Sequence, residues 1–246
     1  MQTLLGSSLI VASACVFNNY IDRNIDDKMV RTKSRALVKK VIPTSSALVY
    51  ATILGLIGFF VLAQFTNTLT VLMGCLGLFF YVCVYSIWKR RSSYGTLVGS
   101  ISGAIPPVAG YTAAVNKLDL GAALLFTILV FWQMPHFYAI AIRRRKEYVS
   151  AKVPVLPVKK GILRTKIEML AYILAFYVAI VALAMYGYAR YTYLIVMSVV
   201  SLIWVYIALL GFTTKDDTAW AKNMFLYSLI VTVAFAIMAS VGRLLP

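Results

Sequence analysis

The chain has 246 residues, 61% of them hydrophobic and only 13% charged. A water-soluble domain has too little interior to hide that much apolar surface, so the composition excludes a soluble fold and sends the excess into lipid. Lys and Arg number 24 against 8 Asp and Glu, and in so apolar a chain that excess bears on membrane topology, with no nucleic-acid partner expected.

Eight stretches reach the roughly 20 apolar residues that a bilayer-spanning helix needs: 3–20, 43–65, 68–88, 95–114, 120–141, 167–187, 192–212 and 222–242. Each is too long and continuous for a buried strand. Backbone amides in lipid need internal partners, which favours helices. The predicted fold is all-α, a polytopic transmembrane bundle of about eight helices forming a single domain over 1–246. The first run lacks a basic start and a small-residue cleavage site, so it reads as a span and not a cleaved leader. Cys15, Cys75 and Cys83 lie within apolar runs at no metal-ligand spacing and read as small buried hydrophobes.

Charge orients the bundle. Alternating the loops puts 21–42, 89–94, 142–166 and 213–222 on one side, with 21 Lys and Arg between them. The other side has only Lys117, Arg190 and Arg243. Basic loops stay cytoplasmic, so the first side is the cytoplasmic one.

The first helix carries an unusual end. Residues 18–35, NNYIDRNIDDKMVRTKSR, hold three of the eight acidic residues and five of the basic ones. Continued as a helix at about 100° per residue, Asn18, Asp22 and Asp26 fall within roughly 80° of one another, while Asp27 points elsewhere. Carboxylates on one face near a bilayer repel each other and lose hydration, so something positive must offset them. One reading is an interfacial salt-bridge network with Arg23, Lys28, Arg31 or Arg35. The other is a Mg²⁺ site, since this ion takes oxygen ligands from one or two carboxylates plus a substrate phosphate. Arg31, Lys33 and Arg35, immediately downstream, then offer further charge to the same phosphates.

Further along, Lys89, Arg90 and Arg91 close the third span. Pro106 and Pro107, with Gly99, Gly103 and Gly110 around them, predict a broken or kinked fourth long helix. His136 is the only histidine. It follows Pro135 and stands about two turns before Arg143, Arg144 and Arg145. The segment 153–161, VPVLPVKKG, is too rich in proline to continue a helix. The loops 21–42 and 142–166 are the longest and carry the basic clusters, and we expect them to cap a cavity as a lid. Asp216 and Asp217 are expected to balance Lys215 and Lys222.

The spacing N-x-x-x-D-x-x-x-D followed by RTKSR resembles the first aspartate-rich motif of the UbiA family of intramembrane prenyltransferases. More narrowly, CVFNNYIDRNIDDKMVRTKSR, YGTLVGSISGAIPPVAGY, FWQMPHFYAIAIRRRKEY and VPVLPVKKG look like the branch of that family that farnesylates heme. The likeness runs over essentially the whole chain. It implies a helical bundle around a central cavity, farnesyl diphosphate and heme b as substrates within the lipid bilayer, and Mg²⁺ as cofactor. It implies that Asn18, Asp22 and Asp26 hold the metal, and that Arg31, Lys33, Arg35, Tyr85, Lys89 and Arg90 meet the diphosphate. Tyr85 and Lys89 stand at the Y-x-x-x-K spacing of a family loop that reaches over it.

A heme substrate also gives His136 a role. It is an iron ligand, a general base or a structural element of the kink, with Arg143, Arg144 and Arg145 for the propionates. The location implied is a bacterial inner membrane with the active site toward the cytoplasm. The resemblance also allows contact with a heme A synthase or terminal oxidase assembly.

Two departures stand out. The family's second aspartate motif is replaced by HFYAIAIRRRKEY, in which Glu147 is the sole carboxylate, so a second Asp-bound Mg²⁺ is not expected. The family has nine helices, and this chain begins where the second would start. Two other functions fit the residues less well. A UbiA enzyme with an aromatic quinone precursor as acceptor fits the His136 and Arg143 context less well. A transporter would place ionisable groups in mid-helix and show internal repeats, which the chain does not.

Overall fold

The computed structural model describes residues 1–241, so Arg243 and the last residue of the 222–242 stretch lie outside the described residues. In chain order the helices are α1 (Gln2–Asp26), α2 (Thr44–Phe65), α3 (Thr68–Phe79), α4 (Ser86–Arg91), α5 (Gly95–Val115), α6 (Leu120–Arg143), α7 (Arg145–Ser150), α8 (Leu156–Lys159), α9 (Gly161–Met185), α10 (Tyr191–Leu210) and α11 (Asp217–Val241). Between α3 and α4 the chain stays helical through a π-helical stretch, Phe80–Tyr85. Among the described residues, all eight predicted stretches are thus helical over most of their length.

Among the described residues, seven helices are long and apolar enough to cross a membrane, counting Thr68–Arg91 as one. The protein is a multi-pass membrane protein. The eighth long helix, α5, falls short because glycine, serine and threonine dilute its apolar residues. Of the broken or kinked helix expected at Pro106 and Pro107, the break is not there, and α5 runs through both prolines as one helix. α6 likewise continues through Pro135.

The chain divides into two compact units, residues 1–122 with 146–155, and residues 123–145 with 156 onward. In the first unit, small residues let α1 and α2 approach closely. A Cβ on Gly58 would meet Ile10 Cγ1 at 2.8 Å and the Gly6 carbonyl oxygen at 2.9 Å. Ser13 Oγ donates to the Ala51 carbonyl at 2.7 Å, which satisfies a hydroxyl that neither water nor lipid could serve. Asn67 caps α3 by accepting from Thr70 N at 3.0 Å and donates to the Thr112 carbonyl of α5 at 2.7 Å.

In the second unit, Phe176 and Trp204 pack edge to face between α9 and α10 with ring centres 5.6 Å apart. Lys166 on α9 donates to the Gly211 carbonyl and to Asp217, both at 2.5 Å. This corrects the expectation for the last basic loop. Asp217 pairs with Lys166, and Asp216 caps α11 by accepting from Thr218 N and Ala219 N. The partner of Asp217 comes from 51 residues away, a proximity that loop composition does not encode.

The cysteines are also corrected. Cys15, Cys75 and Cys83 are free and exposed on the helix exteriors. In a membrane span both faces are apolar, so apolar neighbours in sequence do not separate inward from outward positions. Large exposed hydrophobics such as Leu56, Phe60 and Ile195 mark the same exterior.

Candidate active site

The end of α1 carries three polar side chains turned inward. Asn18, Asp22 and Asp26 are exposed to only 8%, 9% and 4%, while Asp27, one residue on, is exposed. Burying two carboxylates requires partners in contact with them. Lys89 Nζ donates to Asn18 Oδ1 at 2.6 Å and also to Asp22 Oδ2. Arg90 donates to the Ile21 carbonyl at 2.5 Å and reaches Asp22 Oδ1 at 3.4 Å. Arg35 pairs with Asp26 Oδ2 at 2.6 Å. Thr32 Oγ1 donates to the Asp26 carbonyl at 3.1 Å, tying the following turns back onto the helix end.

Lys89 reaches this place because of what precedes and follows it. The π-helical stretch Phe80–Tyr85 inserts extra backbone into the turn and so rotates the residues after it; such bulges recur at functional sites. Tyr81 stacks on Tyr85 with centres 5.6 Å apart, and the Lys89 ammonium lies 4.7 Å from the centre of the Tyr85 ring. Two glycines of α5 admit this segment. A Cβ on Gly95 would come within 2.6 Å of Lys89 Cα, and one on Gly99 within 2.9 Å of Tyr85 Cε2.

The turns after α1 pack against residues 146–155. Met29, Ala151 and Val153 form a small buried cluster with Ile25, Tyr148 and Val155 against it. Arg31 N donates to Glu147 Oε2 at 3.4 Å. The side chains of Arg31 and Lys33 are exposed on this segment.

Toward the other end of α1 the same sector borders an open cleft of about 670 Å³. Its wall includes Leu4, Ser7, Ser8 and Val11 of α1 and Pro107 and Gly110 of α5. At about 100° per residue, Leu4, Ser8 and Val11 fall within the sector that holds Asn18, Asp22 and Asp26. Val11 stands roughly 16 Å of helix from Asp22.

His136 belongs to the second unit. Its ring lies between aromatic side chains, with centre distances of 5.1 Å to Trp132, 5.3 Å to Phe137 and 4.9 Å to Phe225. Nδ1 is 2.7 Å from Ser228 Oγ. The Arg143 guanidinium stands 5.5 Å from the Phe225 ring centre, so Arg143 and His136 share one aromatic neighbour. The three consecutive arginines diverge. Arg144 is half-buried where α6 gives way to α7, and Arg145 Nε donates to the Pro157 carbonyl at 3.1 Å.

The predicted residues therefore fall into two groups. Asn18, Asp22, Asp26, Arg35, Tyr85, Lys89 and Arg90 meet in the first unit, while Arg31 and Lys33 stand outside that contact set. His136 and Arg143 flank Phe225 in the second. Sequence reasoning missed Ser228, Trp132 and Phe225, which have no motif around them, and Gly95, whose packing on Lys89 depends on the π-helical offset.

The donor set on α1 suits a hard divalent cation, because it offers two carboxylates and an amide carbonyl from one buried face. Its surroundings suit an anion, because three cationic side chains converge on two carboxylates.

The sequence matches the UbiA prenyltransferase family over residues 1–230. It is 51% identical to the protoheme IX farnesyltransferase of Edwardsiella ictaluri (strain 93-146), over 98% of this chain and 82% of that one. It is 52% identical to the protoheme IX farnesyltransferase of Klebsiella pneumoniae subsp. pneumoniae, over 99% of this chain and 83% of that one. Among solved structures it superposes on digeranylgeranylglyceryl phosphate synthase with a TM-score of 0.81 at 16% identity, covering 98% of this chain and 84% of that one. It superposes on a UbiA homologue from Archaeoglobus fulgidus bound to GPP and Mg²⁺ with a TM-score of 0.61 at 13% identity, covering 97% and 87%. At these low identities the structural matches establish the fold, and the sequence matches establish the kinship: the chain belongs to the UbiA prenyltransferase family.

Proposed function

We infer that this protein is a heme O synthase, which transfers the farnesyl group of farnesyl diphosphate to a vinyl group of heme b, with addition of water, and releases heme O and diphosphate. The observation that carries this reading is about half identity over nearly the whole chain to proteins named protoheme IX farnesyltransferase. The geometry of the α1 end supports it, since it combines metal-type oxygen donors with a convergent set of cations.

The carbon–oxygen bond of farnesyl diphosphate breaks with its electron pair leaving on diphosphate. The vinyl group supplies the pair for the new carbon–carbon bond to the allylic carbon. Water then adds to the cation left beside the porphyrin ring and gives up a proton, so no oxidant or reductant is consumed. Lys89, Arg90 and Arg35 would meet the negative charge that develops on the departing group. Asn18, Asp22 and Asp26 would hold Mg²⁺, which when bound neutralises diphosphate and makes it a better leaving group. Arg31 and Lys33, exposed nearby, would draw the substrate in from the membrane surface. Tyr85 supports Lys89 from below. The cleft beyond Val11 would take the farnesyl chain, on the same face of α1 and away from water.

His136 would meet heme through its imidazole, and Arg143, with Arg144 and Arg145 beside it, would meet the propionates. The charge asymmetry of the loops supports a bacterial inner membrane with the α1 carboxylates toward the cytoplasm. Heme O is apolar and poorly served by water, so hand-over by contact with a heme A synthase or terminal oxidase assembly fits its chemistry.

The test is reconstitution of the purified chain in liposomes with farnesyl diphosphate and Mg²⁺, offering heme b or an aromatic quinone precursor as acceptor. A heme product heavier by one farnesyl group and one hydroxyl group is the expected result. Prenylation of the quinone precursor alone would replace this reading with the sibling activity.

A further inference from the structure

His136 and Ser228 are 92 residues apart in sequence and 2.7 Å apart in space. Ser228 Oγ also lies 2.6 Å from the carbonyl oxygen of Phe225, one turn earlier on α11. A carbonyl has no proton to give, and two oxygens approach that closely only with a proton between them. The single hydroxyl proton of Ser228 is therefore committed to Phe225. What remains on Oγ toward His136 is a lone pair, so the proton of that contact must come from the imidazole. In a neutral imidazole one nitrogen donates and the other accepts.

From this geometry we propose that Ser228 is a positioning residue, which holds His136 in the tautomer with its proton on Nδ1 and leaves Nε2 as a free acceptor. This is not the outcome that an isolated ring in water would select with such uniformity. It needs a fixed acceptor on one side, and Ser228 is held there twice. Its hydroxyl is anchored to its own helix through Phe225, and its backbone carbonyl accepts from Trp132 Nε1 at 2.7 Å. Trp132 in turn stacks on the His136 ring. The backbone carbonyl and the side-chain oxygen of one serine thus fix both the ring that stacks and the ring that is stacked upon. Phe225, whose carbonyl takes the serine proton, closes the opposite side with its own ring. A histidine that binds iron does so through the nitrogen that carries no proton, and the hydrogen bond of the other nitrogen decides which one that is. Ser228 accordingly makes Nε2 the atom that meets heme, and this last step rests on the function proposed above.

Because His136 is the only histidine, the tautomer is directly observable. The full chain, labelled with ¹⁵N-histidine and solubilised in detergent, gives one imidazole pair in a two-bond ¹⁵N–¹H correlation spectrum. The expected pattern has a protonated Nδ1 and an unprotonated Nε2. In Ser228→Ala the preference should disappear, and Ser228→Thr, which keeps the hydroxyl, should restore it. A wild-type spectrum with the proton on Nε2, or on both nitrogens, would overturn the proposal. So would an unchanged spectrum in Ser228→Ala. Titration of the same samples with heme b, followed by absorption, separates this proposal from the function it rests on. Loss of heme affinity by roughly ten- to hundredfold in Ser228→Ala is expected if Nε2 meets the iron. The predicted tautomer combined with heme spectra indifferent to both Ser228→Ala and His136→Ala would overturn the heme role alone.

Discussion

Lys89 and Asp22 stand 67 residues apart in the chain, yet the Lys89 ammonium donates to the Asp22 carboxylate and, at 2.6 Å, to the Asn18 amide oxygen. One cation thus already answers two of the three oxygen-bearing side chains of the α1 stripe. A divalent ion drawn to the same oxygens must displace the ammonium, and a diphosphate gives that ammonium somewhere to go. Metal and diphosphate should therefore bind together. Lys89→Met should bind Mn²⁺, a paramagnetic stand-in for Mg²⁺, more tightly than wild type in the absence of diphosphate, while its turnover falls. Electron paramagnetic resonance titration checks this. Equal metal affinity in the two proteins would mean that Lys89 does not guard those oxygens.

Asp22→Asn should reduce product formation by two or more orders of magnitude with little loss of folded protein, because it removes charge at the centre of the stripe. Asp27→Asn, one residue from the stripe but exposed, should be mild. Product formation by both variants, normalised to the protein recovered in a size-exclusion peak, makes the comparison. Equal losses would remove the argument from a shared helix face.

Gly95→Ala places a methyl group within 2.6 Å of Lys89 Cα. Backbone is the obstacle, so the segment carrying Lys89 must shift. The expected result is a large fall in turnover with a lower melting temperature. Gly110→Ala is a control on the same helix, since its Cβ would meet nothing within 4 Å. It should leave stability unchanged or raise it by up to about 1 kcal/mol, because alanine is the better helix former.

Filling the cleft should discriminate prenyl chains by length. Val11→Trp adds bulk on the cleft wall, one face and roughly 16 Å from Asp22. Turnover with farnesyl diphosphate should drop, while the shorter geranyl diphosphate should be affected much less. A uniform loss with both donors would place the chain elsewhere.

Much of the fold was legible because lipid imposes a simple rule on helices. Length and apolar continuity located all eight long helices, and spacing alone put Asn18, Asp22 and Asp26 on one face. The misjudged parts depend on tertiary contact. Pro106 and Pro107 did not break their helix. The cysteines turned outward because an apolar sequence looks the same toward lipid and toward protein. Asp217 chose Lys166 over its loop neighbours, and Ser228 reached His136 from a helix with no distinguishing motif. The π-helical offset that aims Lys89 has no residue signature that periodicity could detect.

Farnesyl transfer to heme should depend on the α1 stripe. The most direct measurement is the mass profile of hemes extracted from bacterial cells that lack their own heme O and express either the wild-type chain or Asp22→Asn. Heme O should appear with the wild-type chain, and only heme b should remain with the variant at equal membrane abundance. Heme b alone in both, with the wild-type chain folded in the membrane, or equal heme O in both, would contradict the account.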